Sequence, residues 1–425
     1  MNKSDGAGGV PADGIMRAAD GTPLKKSLAR ALRREKIRSL LLILPLLAFI
    51  LITFIAPIAD MLFRSVENGI VEDTIPQTVG LLQDWDPASG ELPDEAVFAA
   101  FQKDLSEAFK AKTSTRLGLR LNYEKAGMSG LFRKSGRPAT NMEPPFREAF
   151  IAVDEDWGDI ETWAVIKRAS PRLTDGYFLS ALDAHRTADG VEMLPEKERL
   201  YIFLFMRTIF LSIVITFSCL LLGYPIAYLL ASLPVRTSNL LLILVLLPFW
   251  TSLLVRTSAW KVLLQQQGVI NDILVWIGLI DDAGRLIMIN NMTGTIIAMT
   301  HILLPFMILP LFSVMKTISP SYVRAAKSMG ASDWTAFWKI YFPNTVPGIG
   351  AGSILVFILA IGYYITPELV GGTSGVFISN RIAYHISSSL NWGLAAALGT
   401  ILLVLVLALY WAYDRIVGID NVKLG

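Results

Sequence analysis

Three histidines and one cysteine are all the imidazole and thiol groups that this chain offers to metal or redox chemistry. His185, His301 and His385 are too scattered to make a spaced ligand motif. Cys219, being single, excludes an intrachain disulfide, a CxxC redox pair and a cysteine metal site. The sequence contains no GxxxxGK[ST] loop to cradle nucleotide phosphates, no HExxH and no GxSxG. Gly348, Gly350 and Gly352 miss the GxGxxG spacing; within their apolar run, Gly348 and Gly352 read as a small-xxx-small contact between membrane helices. What remains is chemistry of recognition. Glu368 follows Tyr363 and Tyr364, and a carboxylate beside aromatics suits an amine through ion pairing and cation–π contact. The same trio also fits an interfacial aromatic belt with a solvated glutamate. Trp250 and Arg256, in FWTSLLVR, either face a solute path or pack and snorkel. Asn380 and Arg381 read as loop-ordering, and His301 as a hydrogen-bonded residue between helices. No carboxylate pair stands in mid-span, so a proton relay lacks its groups. The chain is read as having no catalytic site and no cofactor or metal of its own.

The elements that must hold these residues are helices in a membrane. Apolar residues make up 53% and charged residues 17%, against about 25% charged in ordinary soluble chains. Mean hydropathy is +0.50. The 38 Lys and Arg against 36 Asp and Glu leave +2, so no global charge recruits nucleic acid. Six segments are apolar enough to span, roughly 38–63, 201–231, 239–255, 293–315, 345–366 and 393–413. None alternates with the period of a barrel strand, so the expected fold is all-α. Pro45, Pro57, Pro225, Pro248, Pro305 and Pro310 mark kinks. Seven Lys and Arg lie between 25 and 38, and Arg236, Lys316, Arg324, Lys327, Lys339, Arg415 and Lys423 fall on the same side. The opposite short loops carry only Arg256, Lys261, Arg285 and Arg381, which puts both termini in the cytoplasm. The first apolar block is too long for a cleaved signal peptide and is expected to stay as an anchor.

Between spans one and two lies an extracytoplasmic insert, 64–200, expected to be largely helical. From 64 to 199 it holds 17 Lys and Arg against 24 Asp and Glu. Val97, Phe98, Phe101, Leu105, Ala108 and Phe109 predict an amphipathic helix over 93–112. GMSGLFRKSGRPATNMEPP reads as loop, and Trp157, Trp163, Phe178 and Leu182 as core. The insert is either a docking surface for an extracytoplasmic partner or a spacer on the membrane core.

The densest local signal is SPSYVRAAKSMGASDWTAFWKIYFPNTVPGI, 319–349. Ser319 caps a helix begun by Pro320. Gly330 ends it as the left-handed residue. Ser332 or Asp333 caps a second helix that is expected to stop before Pro343. Trp334, Phe337, Trp338 and Tyr341 make one stripe on it, and Ala325 and Ala326 leave the first helix a slim face for a partner's groove.

Ala325-Ala326, Gly330 and Ile340-x-Phe342-Pro343 resemble the EAA loop of permease subunits of bacterial ABC importers. Arg324 stands where that family usually has glutamate and Phe342 where it has leucine, which puts a particular ion pair in doubt but not the docking geometry. Residues 246–280, 365–386 and 391–399 are similar to the spermidine/putrescine-type branch. The resemblance covers about 37–63 and 200–418, with no counterpart to the insert in short members. It implies the six-helix type I permease fold, with a cytoplasmic tail 1–37, a first helix 38–63, the insert 64–200, a core 201–418 with coupling loop 316–343, and a tail 419–425. Arg324, Ala325, Ala326, Gly330, Asp333, Ile340 and Pro343 would form the loop that meets the ATPase. The implied partners are an ATPase dimer using ATP and Mg, a second homologous permease, and a periplasmic binding protein delivering a small solute across the bacterial inner membrane. The implied solute is a polyamine such as putrescine or spermidine. Another small organic solute or ion, or an ATP-independent secondary carrier, is the alternative.

Overall fold

The computed structural model describes residues 24–187 and 190–417. Most of the expected amino-terminal tail, 1–23, and the whole of the carboxy-terminal tail, 419–425, lie outside the described residues. The chain divides into two units, Met1–Met61 and Leu62–Gly425.

The first unit is the greater part of one long apolar helix. The span Leu32–Arg64 is long and apolar enough to cross a membrane. Leu51–Ile55 forms a π-turn inside it, immediately before Ala56 and Pro57. Proline has no N–H for the i→i−4 ladder, and a π-turn just upstream widens the register where that bond is missing.

In the second unit four further helices are long and apolar enough to cross a membrane: Tyr201–Ser232, Met292–Thr317, Asp333–Gly362 and Trp392–Arg415. The expected span at 239–255 is not one helix. Val235–Trp250 and Leu253–Leu263 meet at 94°. Pro248 sits in a 3-10 turn, Leu247–Trp250, and Thr251 and Ser252 leave the helical region, so the proline ends the helix instead of kinking it. Tyr201–Ser232, Met292–Thr317 and Asp333–Gly362 share one core, with Leu211, Ile215, Leu303, Met307, Ile308 and Val356 buried. Close approach there requires small residues. A Cβ on Gly352 would lie 2.8 Å from Met307 Sδ and 3.2 Å from the Met307 carbonyl, and one on Gly348 3.0 Å from Val314 Cβ.

The helix after Gly330 does not stop before Pro343. Asp333–Gly362 runs on, because Phe337–Tyr341 is a second π-turn ahead of Phe342 and Pro343, the same order as at Pro57. Asn344 Nδ2 donates to the Ile340 carbonyl at 2.6 Å, helping to satisfy a group beside the proline.

The insert has a core of its own. Helix Glu95–Lys110 buries Val97, Phe98, Phe101, Leu105 and Ala108 as its periodicity demands, while Phe109 is 37% exposed. Phe98, Phe101, Phe132, Phe150, Trp157 and Trp163 are fully buried together, with neighbouring ring centroids as near as 4.6 Å. Each such side chain contributes about 1.5–3 kcal/mol on leaving water. The two indoles are satisfied, Trp157 Nε1 by Ser135 Oγ at 2.8 Å and Trp163 Nε1 by the Trp157 carbonyl at 3.0 Å. The stretch expected as loop folds as helix Met128–Gly136 followed by a 3-10 turn, Pro138–Asn141. Its glycines conceal the i, i+3, i+4 spacing of Met128, Leu131 and Phe132, all buried. Leu182, expected as core, is 44% exposed.

The end of the insert packs on the spans. Tyr177 and Ala181 join Leu204, Phe205, Ile378, Leu394 and Leu398 in one apolar cluster, and the Arg120 guanidinium lies 4.6 Å from the Tyr177 ring centroid. The strands Ala184–Thr187 and Gly190–Met193 form a hairpin. Asp183, just before it, accepts from the backbone N–H of Leu200, Tyr201 and Ile202 at 3.1, 3.1 and 2.8 Å. A carboxylate from the insert thus caps the N-terminus of the second span.

Candidate functional site

Two constellations are built by this fold, one beyond the end of Met292–Thr317 and one around the broken span. In the first, Ser319 Oγ accepts from Ser321 N–H and caps the helix Pro320–Ser328. Gly330 then adopts φ +89°, where a β-carbon is unfavourable. Ala331 N–H donates to the Ala326 carbonyl at 3.0 Å and Gly330 N–H to Lys327 at 3.0 Å, the paired bonds of a Schellman cap. Ser332, not Asp333, supplies the next cap, accepting from Thr335 N–H at 3.2 Å. Asp333 instead pairs with Lys327 across the turn. Both ends of that pair are well exposed, so its worth is at most about 1 kcal/mol.

The two alanines part company. Ala326 is buried, with Ala336, inside the bent finger. Ala325 and Arg324 are exposed on its outer surface. The aromatic stripe divides in the same way. Phe337 and Tyr341 pack on Tyr224 and Tyr228 of the second span, and Tyr224 OH lies 3.2 Å from Thr345 Oγ1. These contacts anchor the finger to the core helices. Trp334 is 72% exposed, and so are Met329 at 82% and Tyr322 at 56%. Large apolar side chains thus stand exposed on this double cap. Met329 and Tyr322 were not singled out from sequence; Met329 lies next to Gly330, and that adjacency is the signal for it.

In the second constellation, Arg256 lies on Leu253–Leu263 after the 94° bend. Its Nε is buried without a hydrogen-bond partner among the described residues, and it stands within Coulombic reach of His301 and Tyr363. One turn on, Trp260 Nε1 donates to His301 Nδ1 at 3.0 Å, which leaves a neutral His301 with its proton on Nε2. Thr257 Oγ1 and Thr366 Oγ1, both fully buried, are 3.1 Å apart. They tie this segment to the short helix Ile365–Val370 that carries Glu368.

Glu368 is exposed, but one oxygen is taken: Asn380 Nδ2 donates to Oε2 at 2.6 Å. Asn380 also donates to the Tyr364 carbonyl at 2.9 Å and accepts from Phe377 N–H at 2.9 Å, so it orders the loop. Ser379 Oγ donates to the Tyr363 carbonyl at 2.7 Å. Tyr363 is half-buried on the Arg256 side, and Tyr364 is exposed beside Glu368. Trp250 stands apart from both, 88% exposed at the end of the 3-10 turn. The fold therefore brings Arg256 to Tyr363 and Tyr364 to Glu368. Trp260, Thr257, Thr366 and Ser379 complete the constellation and were missed from sequence, since single hydroxyls and indoles carry no spacing of their own. Among the described residues, no group of three His, Cys, Asp or Glu could hold a metal ion.

A bent finger on a bundle of kinked and broken apolar helices is the outline of a transport permease. Residues 202–417 match the family model "Binding-protein-dependent transport system inner membrane component". The chain is 36% identical over 222 residues to the spermidine/putrescine transport system permease protein PotB of Escherichia coli, covering 52% of this chain and 80% of that one. It is 31% identical over 223 residues to the inner membrane ABC transporter permease protein YdcU of E. coli, covering 50% and 71%. It is 28% identical over 195 residues to the molybdenum transport system permease protein ModB of Mycobacterium bovis, covering 46% and 71%. The chain belongs to the binding-protein-dependent transport system inner membrane component family. It is a multi-pass permease subunit of an ABC importer, a transport component.

Proposed function

We propose that this permease carries a polyamine such as putrescine or spermidine inward, receiving it from a periplasmic binding protein and driven by a separate ATPase that uses ATP and Mg. The observation that carries the solute class is the likeness to PotB over 222 residues, and the family match over 202–417 contains both constellations. Exposed Glu368 beside exposed Tyr364 agrees with it, since a carboxylate and an aromatic face are what an ammonium group seeks. In this reading a second homologous permease completes the pore, both termini and the finger lie in the cytoplasm, and the insert lies outside. ATPase closure pulls on Met329 and Trp334 at the finger tip. The anchor of Phe337 and Tyr341 on Tyr224 and Tyr228 passes that motion to the core helices, which rock between two packed states.

One observation favours a different solute. Arg256, with a buried unpartnered Nε, opposes a cation and attracts an oxyanion or a neutral acceptor. A single experiment separates these readings. The complex is reconstituted in proteoliposomes, and uptake of labelled putrescine is competed with spermidine, molybdate and an uncharged sugar. ATP-dependent uptake inhibited only by spermidine is expected. Absence of ATP-dependent putrescine uptake overturns the polyamine assignment, and equal uptake without ATPase or ATP overturns the coupling.

A further inference from the structure

The insert's charge is segregated. Residues 64–199 hold seven more acids than bases, yet between 103 and 142 there are nine Lys and Arg against three Asp and Glu. Of those nine, Arg120, Lys125 and Lys134 are in ion pairs. Lys103, Lys110, Lys112, Arg116, Arg133 and Arg137 make no salt bridge among the described residues, although acids are abundant elsewhere in the same domain. Cations left unpaired in an acidic domain are an asymmetry that folding does not require. The local acids do not cancel it. Asp104 is buried and occupied by the Thr78 N–H and hydroxyl, both at 2.8 Å. Glu124 is engaged by Arg120, leaving Glu107 alone.

Two of these bases, Lys110 and Lys112, line a groove of about 610 Å³ together with Phe109, Ser114, Thr115 and Thr140, and Arg116 follows Thr115 on the next helix. Its floor is Phe109, the one apolar residue of its helix stripe that stays 37% exposed. Lys112 is held in the turn at φ +59°, a conformation a lysine rarely adopts. Helix Ser114–Leu121 begins at the groove. Toward its other end, Arg120 reaches Tyr177, which belongs to the cluster shared with the membrane spans. The groove is therefore at the end of that helix away from the membrane contact, which disfavours a lipid headgroup and favours a protein arriving from outside.

Resting on the importer reading above, we propose that this groove is the seat for an acidic side-chain cluster of the solute-binding protein. An apolar floor rimmed by unpaired cations offers Phe109 for contact and Lys110, Lys112 and Arg116 for steering. Rim charges act mainly on the association rate and its salt dependence.

The test uses the intact transporter in nanodiscs and its purified solute-binding protein, with affinity read by biolayer interferometry at low and high salt. Lys110→Glu/Lys112→Glu/Arg116→Glu is expected to lose about tenfold or more in affinity at low salt, and the loss is expected to shrink at high salt. The corresponding glutamine triple variant is expected to fall between. Unchanged hydrogen exchange at the buried segments around Phe101, Trp157 and Trp163 in both variants certifies the fold. Unchanged affinity at low salt overturns the proposal, as does a loss confined to binding of phosphatidylglycerol vesicles. If the wild-type complex takes up solute with ATP and the triple variant does so with the same binding-protein dependence, only the groove assignment falls. If the wild type itself shows no binding-protein dependence, the importer reading falls and takes the groove with it.

Discussion

Replacing Asp183 is predicted to unseat the second span from the insert. Three backbone N–H groups at the start of that span donate to this one carboxylate, which is 1% exposed. Its loss orphans donors that a helix N-terminus cannot satisfy internally, and it removes a negative charge from the positive end of the macrodipole. An N-cap is worth about 0.5–2 kcal/mol and hydrogen bonds to a charged group about 1.5–3 kcal/mol. Partial access of water to Leu200 brings the net cost of Asp183→Ala to about 3 kcal/mol. Asp183 also has φ +52°. Alanine suffers there by about 1 kcal/mol more, asparagine tolerates the conformation, and glycine is unstrained. The predicted order of stability is wild type, Asp183→Asn, Asp183→Gly, Asp183→Ala. At about 2 °C per kcal/mol for a large chain, alanine lowers the melting temperature by about 6–8 °C in detergent. Hydrogen exchange should rise at Leu200, Tyr201 and Ile202 in the alanine and glycine variants. A glycine variant more stable than the asparagine one refutes the reasoning, because backbone strain and not the carboxylate would then govern the site.

Three further outcomes follow from single side chains. His385 is wedged between Tyr201 OH at 3.0 Å and Ser389 Oγ at 2.8 Å, and burial, aided by Arg381, pushes its pKa down to about 4. The unfolded chain, near 6.5, binds that proton first, so stability falls as pH drops from about 6.5 to 4, by at most about 3 kcal/mol. His385→Gln should flatten the melting temperature against pH in that window, and an unchanged slope rejects the assignment. Thr257 Oγ1 donates to the Leu253 carbonyl at 2.9 Å, so Thr366 must donate to Thr257. Thr257→Val therefore strands a buried hydroxyl and costs about 1–3 kcal/mol, while Thr366→Val costs less; equal melting temperatures would deny this. Gly352→Ile forces a side chain against the Met307 carbonyl and should cost about 3 kcal/mol or prevent assembly, read as loss of monodisperse protein on size exclusion.

Elements read well from sequence where one force dominated. Twenty apolar residues in a row leave few alternatives, so five spans appear close to where hydropathy puts them, and Gly330 is legible because a left-handed residue between two capped helices has one common solution. Elements were misread where two backbone effects compete. Pro248 ends a helix and Pro343 does not, and the difference is a π-turn, Phe337–Tyr341, which no residue type announces. Helix Met128–Gly136 was hidden by glycines whose cost is outweighed by burial of Leu131 and Phe132. In the second constellation, Glu368 was legible as a charged residue near aromatics. Its engagement by Asn380, twelve residues on, depends on how the loop closes.

The most direct test of the account is ATP-driven uptake by Gly330→Pro, at matched membrane insertion. Proline holds φ near −65° and has no N–H. It therefore cannot adopt the +89° of this residue or donate to the Lys327 carbonyl, and the finger that carries Met329 and Trp334 loses its shape while the spans remain intact. Uptake is predicted to fall to background, together with association of the ATPase. Wild-type uptake by this variant would contradict the claim that residues 319–341 transmit the ATPase's motion to the transport path.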